Sequence, residues 1–69
     1  MKILENRIKN VLSEKKKTVV WLAKKMNMSA STIYKWNSNV VQPSAYNIAR
    51  VAVRLKIEVE ELIVSAQEE

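Results

Sequence analysis

The chain contains no cysteine and no histidine, so disulfides, thiolate metal sites and the commonest nitrogen ligand of zinc are all missing. Aspartate is absent too, and five of the seven acids are glutamates crowded into residues 57–69. Few paired carboxylates or nucleophile–base pairs can be assembled from such a set. The expectation is a protein that is not an enzyme and uses no metal or cofactor. Glycine is absent and Pro43 is the one proline, which suits an all-helical chain with few sharp turns. No apolar run approaches the roughly 18 residues that span a bilayer. The opening MKILENRIKN mixes charge with hydrophobicity and does not form a signal-type apolar core. A soluble, cytoplasmic chain with no membrane partner is expected. Its 69 residues suit one domain, placed at residues 1–66, with 67–69 a frayed acidic end.

Positive charge is plentiful. Residues 1–56 hold all twelve Lys and Arg against Glu5 and Glu14, a net charge of +10, whereas residues 57–69 hold only Glu. A basic body of this size suits a polyanion such as nucleic acid, although solvated helix faces would give the same count.

The stretch from Thr18 to Asn37, TVVWLAKKMNMSASTIYKWN, organises the rest. Leu22, Ala23 and Met26 recur at helical spacing, as do Ile33 and Trp36, so two short helices are predicted, each with one buried face. Between them Asn27 suits the left-handed conformation that ends a helix, Met28 plugs the turn, and Ser29 caps the next helix. Thr18 caps the earlier one. A first helix is predicted from Lys2 or Ile3 to Lys15, with Leu4, Ile8, Val11 and Leu12 inward and Asn6, Arg7, Lys9 and Asn10 outward. The run Lys15-Lys16-Lys17 either complements the negative end of that helix or meets phosphates. Ser38 to Pro43 reads as a loop. Ser44 then caps a fourth helix with Ile48, Val51, Ala52 and Leu55 inward and Asn47, Arg50 and Arg54 outward. Val59 to about Ser65 reads as a fifth, and no strand alternation is visible.

The residues resemble the Cro and phage-repressor type of helix-turn-helix proteins, also called XRE-type regulators. Thr18, Leu22, Ala23, Ser29, Ile33, Pro43, Ser44, Ala52, Leu55, Glu61 and Leu62 fall, without gaps, where that family's pattern expects them. The resemblance covers about residues 3–64 and implies an all-α, lambda-repressor-like DNA-binding domain of five short helices. Departures are also present. Val19 stands where relatives carry a Gln that helps hold the DNA backbone. Lys16, Asn27, Asn39 and Lys56 replace glycines, so the two lysine turns are expected to be built differently. Leu12 and Asn37 replace an Arg–Glu pair together, leaving no orphaned charge.

The resemblance implies a recognition helix, the third, in the major groove of double-stranded DNA. Ala30, Ser31, Tyr34 and Lys35 face away from Ile33 and Trp36 and are the candidates for reading bases. Lys17, Thr18, Ser29, Asn37, Ser38, Asn39, Ser44, Tyr46 and Asn47 are the candidates for the phosphate backbone. A homodimer on a palindromic operator is expected, with Ile57, Val59, Leu62, Ile63 and Val64 at its interface or closing the monomer core. Trp21 either lies over helix 1 or the lysine stems around it, or forms a patch for a protein partner. The function so implied is a small repressor; the alternative is a protein-interaction module on the same fold.

Overall fold

The computed structural model describes residues 3–65. The expected fraying of 67–69 lies outside them. In chain order the elements are a strand β1 (Ile3–Asn6), helices α1 (Ile8–Glu14), α2 (Val19–Met26), α3 (Ala30–Asn37) and α4 (Ala45–Leu55), a 3-10 turn (Val59–Glu61) and a strand β2 (Ile63–Ser65). The fold is the helical class expected, with four helices where five were predicted and a two-stranded antiparallel ribbon added. Among the described residues no helix is long and apolar enough to cross a membrane.

Both differences have one cause. The chain ends pair with each other, Ile3 opposite Ser65, Glu5 opposite Val64 and Asn6 opposite Ile63, with an irregularity between Ile3 and Glu5. The chain at Ile3–Asn6 therefore runs extended beside β2 instead of continuing α1 upstream. Asn6 then stops the helix locally, because its Oδ1 accepts the N–H of Ile8 at 3.0 Å. At the other end the β-branched pair Ile63-Val64 suits a strand better than a fifth helix. Only one short turn survives there, its entry tightened by Glu61 Oε2 accepting the Glu58 N–H at 3.2 Å.

Each long helix starts on a hydroxyl. Thr18 Oγ1 accepts from Trp21 N at 3.0 Å, Ser29 Oγ from Thr32 N at 3.2 Å and Ser44 Oγ from Asn47 N at 3.2 Å. Each inward face joins one core. Leu22, Met26, Ile33, Ile48 and Val51 are among its fully buried members, and each such side chain contributes about 1.5–3 kcal/mol of burial. Leu12, in place of a charged residue, is buried beside α3. Met28 is half-buried against this core, as the plug of the turn.

All four helices end in the same way. The residues with positive φ are Lys16 (58°), Asn27 (57°), Asn39 (62°) and Lys56 (60°). At each, two N–H groups turn back onto the last helical turn: Lys16 to Ser13 and Lys17 to Leu12, Asn27 to Lys24 and Met28 to Ala23, Asn39 to Trp36 and Val40 to Lys35, Lys56 to Val53 and Ile57 to Ala52. This is the six-to-one, five-to-two bonding of the Schellman motif. The expectation that the lysine turns would be built differently is overturned. The paired bonds and the positive charge at a helix C-terminus offset the steric cost of the left-handed conformation, about 1–2 kcal/mol for a side chain with Cβ. Lys16→Gly and Lys56→Gly should therefore each stabilise the fold by about 0.5–1 kcal/mol once the extra freedom of an unfolded glycine is subtracted. Thermal denaturation checks this, and Asn27→Gly should change stability less than either.

Candidate nucleic-acid interface

The eight residues of α3 divide into two faces. Ile33 and Trp36 are buried, while Ser31, Tyr34 and Lys35 are exposed and continue to Ser38 one turn later. That face carries the Ser31 hydroxyl, a phenol 54 % exposed and an ammonium, and α3 holds no carboxylate that would repel phosphate. Three of the four residues expected to read bases thus share one open surface. Ala30 is half-buried against the core and forms its edge.

The residues expected to meet phosphate differ in what they already hold. Thr18, Ser29 and Ser44 use their oxygen lone pairs as helix caps. For Thr18 and Ser44 this leaves the hydroxyl proton free to donate outward. Ser29 Oγ also lies 3.0 Å from Thr32 Oγ1. Ser38 donates its hydroxyl to Tyr34 O at 2.9 Å, so its first task is to close the end of α3. Tyr46 is 73 % exposed, with the Arg50 guanidinium 5.8 Å from its ring centroid, and Asn47 Oδ1 accepts from Arg50 at 3.3 Å. Asn37 is half-buried at the C-terminal end of α3.

Asn39 has a structural task beside the one expected of it. Its Oδ1 accepts from Asn6 N at 2.8 Å and from Gln42 Nε2 at 2.7 Å, and its Nδ2 donates to Asn6 O at 3.3 Å. These bonds use the oxygen and one of the two Nδ2 hydrogens, which leaves a second N–H as a donor. Leu62 is a correction: with no exposed surface it belongs to the monomer core, where it cannot touch another subunit. Ile57, Val59 and Ile63 are half-buried against that core, and Val64 is 40 % exposed. Val19 is buried, so it faces no ligand.

Trp21 takes the first of its two expected places. It is half-buried against the core, with Lys17 Nζ 4.9 Å and Lys25 Nζ 5.9 Å from its ring centroid. The ring lies under lysines and is not an open apolar patch.

Two residues that brace the site were read from the sequence as merely outward-facing. Asn6 is buried, and its Nδ2 donates to Trp36 O and to Gln42 Oε1, both at 2.8 Å, which ties β1 to the end of α3. Arg50 donates to Met26 O at 2.9 Å, which ties α4 to the end of α2 just before the turn. The signal for Arg50 was present in the spacing, since it stands three and four residues after Asn47 and Tyr46 on one face of α4.

Residues 7–68 match the model of the Cro/C1-type HTH DNA-binding domain. A crystal structure of a candidate DNA-binding protein from Bacteroides fragilis superposes with a TM-score of 0.85 at 45 % sequence identity, covering 87 % of this chain and 97 % of that one. No curated protein matches.

Proposed function

Because the chain belongs to the Cro/C1-type helix-turn-helix DNA-binding family, we propose that it is a sequence-specific regulator, a small repressor that binds a palindromic operator as a homodimer. Residues 1–66 act as one domain in this reading. The observation that carries it is the exposed Ser31, Tyr34 and Lys35 stripe on a helix whose opposite face is locked into the core. A side chain can report base identity only if its helix is fixed relative to the groove. Lys35 donates to guanine O6 and N7, Ser31 bonds donor or acceptor edges, Tyr34 does apolar or hydrogen-bonding work, and Ala30 touches a thymine methyl at the rim.

Around this stripe, Lys17, Thr18 and Ser29 meet the backbone on one side, and Asn37, Ser38, Ser44, Tyr46 and Asn47 on the other. Phosphate contacts set position and orientation, while the base contacts carry the specificity. One module reads few base pairs, so a second copy is required for useful discrimination. Val64, with the outer edges of Ile57, Val59 and Ile63, supplies apolar surface for that contact. Repression then follows from occupancy of the operator.

Selection of bound duplexes from a random double-stranded library tests the reading. An enriched palindrome supports it, and the distance between half-sites reports the dimer geometry. A pool that stays random would sink it. On the selected operator, Lys35→Ala should weaken binding by about 1–3 kcal/mol and relax preference at one base pair. An equal loss on every sequence would make Lys35 a phosphate contact.

A further inference from the structure

A cleft between the start of α2 and the end of α4 carries chemistry that the α3 face does not use. Its volume is about 380 Å³, and Lys15, Lys17, Trp21, Arg54, Leu55 and Lys56 line it. Leu55 is buried and Trp21 half-buried, so the apolar part of the lining is a wall, while the four cations are exposed. No carboxylate is among the lining residues. Among the described residues the one ion pair joins Arg7 to Glu14, so no neighbour at ion-pair distance neutralises the four cations. Like charges gathered around one concavity raise the local potential and draw in an anion.

Trp21 explains how part of this charge is held. Lys17 Nζ lies 4.9 Å from its ring centroid. A ring face attracts an ammonium through its quadrupole yet takes none of the three N–H donors along a lone pair. The lysine is thereby ordered without being neutralised, which lowers the entropy lost when an anion arrives. Arg54 adds a planar fork suited to two oxygens of one tetrahedral anion, whereas Lys15 and Lys56 add point charges.

We infer that this cleft is a phosphate-binding site, with Trp21 as the residue that positions Lys17 in it. The chemistry is that of a phosphate oxyanion lying beside an apolar wall. Two sources present it: the backbone of a duplex continuing past the bases that α3 reads, and a free nucleotide. The duplex source rests on the proposed function; the site itself does not.

Nuclear magnetic resonance of the full chain titrated with sodium tripolyphosphate at low salt tests the site. The indole N–H of Trp21 and the amides of Lys15, Lys17, Arg54 and Lys56 should shift together and saturate. The exposed double substitution Lys15→Gln with Arg54→Gln should weaken this binding about tenfold or more, as expected for loss of bonds to a charged group, with an unchanged unfolding temperature. Trp21→Leu should retain binding in weakened form. Shifts spread evenly over Lys24, Lys25 and Lys35, shifts that survive the double substitution, or equal shifts with citrate would overturn the site. A second arm identifies the source, using one selected half-site with and without extra flanking base pairs. A gain from the flank that the double substitution abolishes assigns the site to duplex DNA. Tripolyphosphate binding with no such gain, or with no duplex bound at all, assigns it to a free phosphate ligand and leaves the site standing where the regulator reading fails.

Discussion

Asn6→Ala should lower the stability of the fold by about 2–4 kcal/mol, the sum of a few lost hydrogen bonds at roughly 1 kcal/mol each and the cost of stranding a buried donor. Asn6 is 4 % exposed, and its side chain serves three partners: it donates to Trp36 O and Gln42 Oε1 and accepts from Ile8 N. The losses are unequal. Trp36 O keeps the N–H of Asn39, and Gln42 can turn toward water, but the Ile8 N–H is left without its acceptor at the start of α1. A domain of this size has a total stability of about 3–10 kcal/mol, so the loss should appear as a fall in unfolding temperature of roughly 10–25 °C. Asn6→Asp should be no better, because a carboxylate would place an acceptor against the two acceptors that Nδ2 now serves. Gln42→Ala should cost less, and its effect should shrink in the Asn6→Ala background, since both act through one network. Denaturation of the four proteins checks the cycle; purely additive losses would mean that Asn6 and Gln42 act independently.

The network also shows where the sequence stopped being legible. Helix caps are local events, so Thr18, Ser29 and Ser44 could be read from residue type and position, and the structure places a hydroxyl bond at each. The inward faces of α2, α3 and α4 follow from spacing alone. The four left-handed positions were legible as substituted glycines, although the uniformity of the turns was not, because nothing in a lysine announces that two backbone bonds will hold it at positive φ. The ribbon was hidden for a different reason. Its strands are short, separated by almost the whole chain and irregular between Ile3 and Glu5, so neither displays a period of two. Leu4, Ile8, Val11 and Leu12 match helical spacing, and a helix begun at Ile3 places Asn6 outward. Once β1 pairs with β2, the same residue turns inward beneath α3. Asn39 is tied to Asn6 along with it, and Leu62 moved from the subunit interface to the core. Both reassignments follow from one long-range pairing that local rules do not register.

Arg50 shows the converse. Its spacing from Tyr46 and Asn47 was plain, but its bond to Met26 O joins α4 to the end of α2, and that proximity is tertiary. The consequence concerns the site directly. The turn before α3 is fixed by Asn27 and Met28 from within and by Arg50 from outside, while the far end of α3 is fixed by Asn6. The α3 face proposed to read bases is thus braced at both ends by polar side chains.

Raising the salt concentration about fourfold, as from 50 to 200 mM, should weaken operator binding by roughly 10⁴-fold or more for a dimer, and by about 10²- to 10³-fold for one subunit on a half-site. The size follows from the number of phosphates engaged. If each subunit neutralises about four to six, the slope of log affinity against log salt is near −4 to −5 per subunit, because each contact releases most of a condensed counterion. The distribution of charge in the chain makes a slope of that size attainable, with a net +10 in residues 1–56 and every glutamate after Glu14 confined to residues 57–69. Substitutions then sort by their effect on the slope. Removing a phosphate-contacting lysine such as Lys17 should reduce it by about one, whereas Lys35→Ala should leave it nearly unchanged while relaxing base preference. Fluorescence anisotropy of a labelled operator across a salt series separates the two. Tight binding with a flat salt response would contradict the placement of Lys17 on the backbone, since uncharged contacts alone would then hold the duplex. A steep response shared equally by random DNA would leave the backbone contacts in place and remove the base-reading role from Ser31, Tyr34 and Lys35.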